Sequence, residues 1–345
     1  MTYSEIIQNN IEKHSPVSWW PKFAFHYTDV TNAVSILDTG YLYSRLDATH
    51  LGIMSNDNAS RQVIDMTNPS IVSKVRFYFR PLTPTQYYNE GYKHPRLRYD
   101  DDVNANTPVP VFFLFDLEKL LSTDGVQFSE TSQAGHGSVL QSGIDAFSNL
   151  NFDLIYSNGY ENISESKIYR HAEIAHNGSM RIEKNLRAIL CRNSIERTTL
   201  LNLLKAKNRF AYEKYQNIIK VYNKNDLFEN NGLFITECLF HDTTISILLS
   251  DNYSKHQYIK RMLLDGNADE LDPIHSRIEL VWKNSKRIIH HEEIKTLIDY
   301  AQTDRLSITK LPIVSGAREI CITVFFDDKL MCCITQSIES DEVIK

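Results

Sequence analysis

The chain has 345 residues, a length that favours two domains each able to bury its own core. Apolar residues make up 42% and charged residues 23%, as in a globular protein, and no stretch approaches the roughly 20 apolar residues that span a bilayer. A formal net charge of −6 excludes a surface coated in basic charge for tight nonspecific DNA binding, so any nucleic-acid contact has to be local.

In chain order, the polar opening Met1-Thr2-Tyr3-Ser4-Glu5 lacks the basic start and apolar core of a secretory signal, and a cytoplasmic location is expected. Phe23-Ala24-Phe25-His26-Tyr27 reads as a strand, with His26 near its end. A helix over 32–38 follows, because Val30, Ala33, Val34 and Leu37 share one face, with Thr31 as N-cap and Gly40 as the stop. Residues 49–70 form a long polar excursion. Val75–Phe79 is a second strand ended by Pro81 and Pro84. Val109–Phe115 is a third, with Pro110 marking an edge or an irregular start, and Asp116–Leu121 is a short helix. Residues 125–143 read as loop, 168–175 and 186–191 as strands.

Beyond Asn193 the pattern changes. Residues 196–224 are helical, 233–249 give two strands around His241-Asp242, a helix of mixed charge spans 273–300, and 320–335 is a hairpin turned at Asp327-Asp328-Lys329. The division is placed after residue 210, leaving 1–210 as the catalytic domain and 211–345 as an accessory α+β region. The five cysteines (Cys191, Cys238, Cys321, Cys332, Cys333) sit among apolar residues, form no CxxC pair and read as buried reduced thiols. His290-His291 on a charged helix would point to different faces, so no metal site is expected there.

Three stretches carry a resemblance. Phe25-His26-Tyr27-Thr28-Asp29-Val30-Thr31-Asn32 with Gly40-Tyr41-Leu42, then Phe77-Tyr78-Phe79-Arg80-Pro81-Leu82-Thr83-Pro84-Thr85-Gln86-Tyr87, then Arg170-His171-Ala172-Glu173-Ile174 together resemble the DarT family of DNA ADP-ribosyltransferases in order and separation. The resemblance covers about two-thirds of the chain, and each motif alone would be weak. It implies an α+β fold, a mixed sheet of the ADP-ribosyltransferase type, with an additional α+β C-terminal region. It also implies NAD⁺ as co-substrate, single-stranded DNA as acceptor, and a toxin of an anti-phage system countered by a macrodomain antitoxin.

Transfer of ADP-ribose passes through an oxocarbenium-like sugar, and a carboxylate near that centre can stabilise the charge, hold a ribose hydroxyl, and orient or deprotonate the attacking base. The resemblance assigns this to Glu173; the alternative is an exposed strand residue. It implies that His26, Thr28 and Asn32 hold the cofactor and that Tyr78 and Phe79 wall the nicotinamide, against the alternatives of a core histidine and a plain aromatic core. It further implies an arginine in the loop before the aromatic strand, serving the NAD⁺ phosphates and the target base. Arg61, the only arginine between Arg45 and Arg76, is the residue expected there, the alternative being a solvated loop charge. The segment 127–143 would correspond to the recognition loop, with Phe128, Ser129, Gln133, His136 and Gln141 reading an unstacked base. Arg80 and Leu82 depart from the family pattern, and the departure leans the acceptor toward guanine over thymine. The absence of GxGxxG after a strand argues against a Rossmann mode of holding NAD⁺. Competing readings are transfer to protein or RNA, NAD⁺ hydrolysis, and a catalytically silent nucleic-acid-binding module.

Overall fold

The computed structural model describes residues 1–56, 69–98, 106–133, 138–159, 163–266 and 271–338. In the first part the strands are β1 (Phe23–Asp29), β2 (Tyr41–Leu42), β3 (Lys74–Tyr78), β4 (Pro110–Asp116), β5 (Val126–Ser129), β6 (Glu173–Asn177), β7 (Met180–Arg181), β8 (Leu186–Cys191) and β9 (Ile219–Val221). Seven of them form one mixed sheet in the order β5-β6-β3-β1-β4-β8-β9, antiparallel except for the β8–β9 pair. β1 and β4 lie at its centre, and the near-continuous apolar run of β4 is what a strand covered on both faces requires. Pro110 opens that interior strand as its first residue, where its missing N–H removes least from the ladder.

The expected helix runs from Val30 to Thr39 and buries Val30, Ala33 and Leu37. Its cap is Asp29, not Thr31: one carboxylate oxygen accepts from both the Thr31 amide (2.9 Å) and its hydroxyl (2.7 Å), while Gly40 closes the other end at φ 74°. Residues 125–143, expected as loop, contribute β5. Residues 168–175, expected as one strand, divide into the end of a helix (Ile163–Tyr169) and the start of β6. The helical reading of 196–224 holds for Ser194–Lys207 and Arg209–Tyr215 but ends at β9, which adds to the edge of the sheet beside β8. The division expected after residue 210 thus falls inside a helix. Apolar packing passes from the first core to the second between Phe228 and Leu233.

The second part contains β10 (Ile235–His241), β11 (Thr244–Leu249), the helix Tyr253–Gly266, β12 (Ile274–Asn284), β13 (Arg287–Ile298), β14 (Arg305–Ile308), β15 (Glu319–Phe326) and β16 (Lys329–Ser337). They make a three-stranded sheet, β10-β11-β14, and a four-stranded one, β13-β12-β15-β16. The helix expected over 273–300 is a β-hairpin. Ile274, Ser276, Ile278, Leu280 and Trp282 are buried while the residues between them are not, a period of two. His290 and His291 lie on β13, opposite Trp282 and Val281. The 327–329 turn is where it was expected, with Asp327 and Asp328 at positive φ.

The two parts interlock. Tyr92 and Leu97, from the loop before β4, belong to the second core, and Tyr92 exchanges backbone hydrogen bonds with Leu233 at 2.9 and 2.8 Å. Beneath them, buried Glu90 accepts from the Gln86 amide (2.6 Å) and from the backbone N–H of Glu229 (3.0 Å) and Asn230 (2.8 Å), and pairs with Arg192 at 3.4 Å. Buried Lys93 donates to Asn231 (2.6 Å) and lies over the Tyr258 ring. Among the described residues no helix is long and apolar enough to cross a membrane.

Candidate active site

Alternation along β3 puts Lys74, Arg76 and Tyr78 on one face of the sheet and Val75 and Phe77 on the other, in the core. The polar face of β3 and the end of β1 open into a cleft of about 250 Å³. Its opposite wall comes from the Val30–Thr39 helix and from Tyr41, Tyr43 and Arg45. Arg45, Lys74 and Arg76 line it together with four tyrosines, and no carboxylate is among the described lining residues. In a chain of net charge −6 such a surface favours a ligand carrying phosphates and a ring system.

Glu173 begins β6, opposite Tyr78 of β3 and Ser129 of β5. Its side chain is 1% exposed and held bidentately by Arg76, through Nε at 2.7 Å and Nη2 at 2.5 Å. The guanidinium reaches from the cleft wall to the carboxylate; burial lowers the Arg76 pKa, but the Glu173 charge, Tyr78 and the Glu173 hydrogen bond together outweigh it and raise the net value. Burial and the nearby Glu173 charge also raise the Tyr78 phenol. Arg76 was not singled out in the sequence. The period of two counted back from Tyr78 is the signal that places it on the site's face.

His26 lines the cleft, and its Nδ1 lies 3.0 Å from the Arg76 carbonyl oxygen. A carbonyl only accepts, so Nδ1 carries the proton and, in the neutral ring, Nε2 is an acceptor. Burial holds the imidazole below its ordinary pKa, against the opposing effect of that hydrogen bond. Thr28 and Asn32 also line the cleft, but the Asn32 side chain, on the Val30–Thr39 helix, is engaged by the backbone of Ser55 and Asn56. It accepts from the amides of Ser55 (2.9 Å) and Asn56 (3.2 Å) and donates to the Asn56 carbonyl (2.6 Å). Tyr78 is in the wall. Phe79, expected beside it, points the other way, fully buried against Phe147, because neighbouring strand residues face opposite sides.

Arg61 and His136 lie outside the described residues. Of the segment expected to read a base, Phe128 packs in the core, Ser129 donates to the Thr131 carbonyl (2.8 Å), and buried Gln133 donates to Ser138 (2.7 Å). Gln141 pairs its backbone with Phe128. Phe128 and Ser129 pair with Ile174 and Glu173 at the start of β6.

The family model described as DarT, ssDNA thymidine ADP-ribosyltransferase, matches residues 25–222, more than half of the chain. Among solved structures, Thermus sp. 2.9 DarT in complex with NAD⁺ is similar at 13% identity and TM-score 0.45, covering 59% of this chain and 96% of that one. The same protein in complex with ADP-ribosylated ssDNA gives 12% identity and TM-score 0.48, over 59% and 95%. Thermosipho africanus DarTG in complex with ADP-ribose gives 16% identity and TM-score 0.44, over 60% of this chain and 50% of that one. No curated protein matches the sequence. The family match begins in β1, ends just past β9 and takes in all but the first two residues of the seven-stranded sheet that positions His26, Arg76 and Glu173: the chain belongs to the DarT family of single-stranded-DNA ADP-ribosyltransferases.

Proposed function

We propose that the chain transfers ADP-ribose from NAD⁺ to a thymine of single-stranded DNA, with Glu173 as the carboxylate that takes the proton from the attacking base. The observation that carries this reading is the cleft lined by three cations and, among its described residues, no carboxylate, whose Arg76 connects it to buried Glu173. The residues present fit NAD⁺: the cations suit its diphosphate, the tyrosines its rings, and the His26 Nε2 lone pair a ribose hydroxyl. Bound NAD⁺ supplies an ADP-ribosyl group on a leaving nicotinamide that departs neutral with the electron pair of the broken bond. In thymidine the deoxyribose occupies N1, so N3–H is the ring nitrogen left to bond the ribose, and its proton passes to Glu173. Arg76 keeps the carboxylate in place for that transfer. We assign it the role that was expected of Arg61.

The lean toward guanine rested on Arg80 and Leu82. Neither lines the cleft, and Arg80 is spent on the carbonyls of Pro81, Ile155 and Ser157. The family description names thymidine, and thymine is therefore the proposed acceptor. Incubation with NAD⁺ and oligonucleotides each lacking one base, read by mass spectrometry, tests this: the adduct should vanish only when thymine is omitted. Loss on omitting guanine instead would reverse the base assignment, and NAD⁺ consumption independent of any strand would replace transfer by hydrolysis. Glu173→Gln should lower transfer by about 10²–10⁴-fold. We further propose that the chain acts in the cytoplasm as a toxin in anti-phage defence, countered by a macrodomain antitoxin. Induced expression should arrest growth, the Glu173→Gln form should not, and a co-expressed macrodomain should restore growth.

A further inference from the structure

Behind the short helix Pro84–Asn89 lies a second cavity, of about 650 Å³, that the transfer chemistry does not use. Thr83 lines both cavities, and the helix that follows it divides them. Thr85 and Asn89 line the cleft, Pro84, Tyr87 and Tyr88 the second cavity. The far wall comes from the Tyr253–Gly266 helix, beyond the residues that match the family.

Arg80, Lys167, Arg170 and Arg261 line this cavity, and Glu229 is the one carboxylate among its described lining residues. Arg80 is 1% exposed and has no described carboxylate within ion-pair distance; it lies over the Trp20 ring and donates only to backbone carbonyls. Burial, then the charge of Arg170, lower the Arg80 guanidinium to about 9. Burial and the Glu90 charge push Glu229 up to about 7, so this acid opposes an anion only in part. Tyr253 is 78% exposed although it lines the cavity, leaving a ring available for stacking.

We propose that this cavity seats a phosphate and an unpaired base of the DNA strand, flanking the nucleotide presented to the transfer cleft. Cations take the backbone and tyrosines stack the base, the combination by which single strands are held without sequence preference. The two cavities share Thr83 as a lining residue, so the two sites lie side by side. The inference rests on single-stranded DNA being the acceptor, but it is tested by binding, which needs no transfer.

The full chain and its Arg261→Ala and Tyr253→Ala variants are titrated against a fluorescein-labelled thymine-containing 12-mer, a 3-mer and thymidine monophosphate. Both substitutions alter exposed side chains and should leave folding intact. Expected is a weakening of 12-mer binding by about tenfold for Tyr253→Ala, with a salt slope reduced by about 0.7 for Arg261→Ala. The 3-mer should bind all three proteins alike. Unchanged 12-mer binding in both variants overturns the proposal. So does equal binding of thymidine monophosphate and the 12-mer, which would make this a free-nucleotide site. Variant-dependent binding without any adduct from the unaltered protein would leave this site standing and remove the transfer reading instead.

Discussion

Glu173 and Arg76 form a pair with one partner sealed and the other 30% exposed toward the cleft. Removing Arg76 would leave a buried carboxylate without its two hydrogen bonds, so Arg76→Ala should destabilise the fold by about 3 kcal/mol in urea unfolding. Adding Glu173→Gln should recover part of that loss, and strictly additive effects would show that the two are not coupled. His26 carries a pH signature. Its folded pKa is depressed, so its contribution to stability is present above the unfolded value of about 6.5 and is lost as pH falls through the folded value. The stability advantage of the unaltered chain over His26→Gln should shrink from pH 7 to pH 5; a constant difference would mean that the ring is not held neutral. His26 was legible as a strand histidine beside a recognisable motif, although β1 runs on to Asp29 and places it mid-strand, not near the end as expected. Arg76 was hidden because its role is set by a strand nearly a hundred residues away in sequence.

Elements were legible where one period dominated. β1, β4 and β8 and the Val30–Thr39 helix have unbroken apolar patterns with clear stops, and the β15–β16 turn has the residues that tolerate positive φ. The β12–β13 hairpin was read as a helix because its solvent face mixes Glu, Lys, Arg and His, which dilutes the alternation of Ile278, Leu280 and Trp282. β5 is four residues long and paired to β6 from afar, too short to announce itself. Where the segment after the Pro84–Asn89 helix crosses the start of the second part, sequence says only that two glycines are present. A Cβ on Gly232 would stand 2.5 Å from the Glu90 carbonyl oxygen and 2.6 Å from the Gly91 Cα, both backbone atoms. Gly232→Ala should therefore destabilise by about 1–3 kcal/mol, measurable as a lower urea midpoint with an unchanged slope.

At the scale of the whole molecule, length favoured two cores, and the described residues form two apolar clusters, but they are threaded through one another. Tyr92 and Leu97 come from the first half of the chain and pack in the second core, and Thr199 and Asn202 bond to Cys333 of β16 at 3.0 Å each. A fragment ending at Phe228 would strip the cover from Tyr92 and the partner from buried Lys93, which burial already pulls down to about 7. Such a fragment should be insoluble or lack cooperative unfolding by circular dichroism; a folded fragment would show that the second core is dispensable. The helix Pro84–Asn89 lies in the same junction, with a cavity on either side. A wall common to two sites makes their occupancies a closed thermodynamic cycle: by whatever factor a strand seated on one side changes the hold on a dinucleotide on the other, the dinucleotide must change the hold on the strand by the same factor.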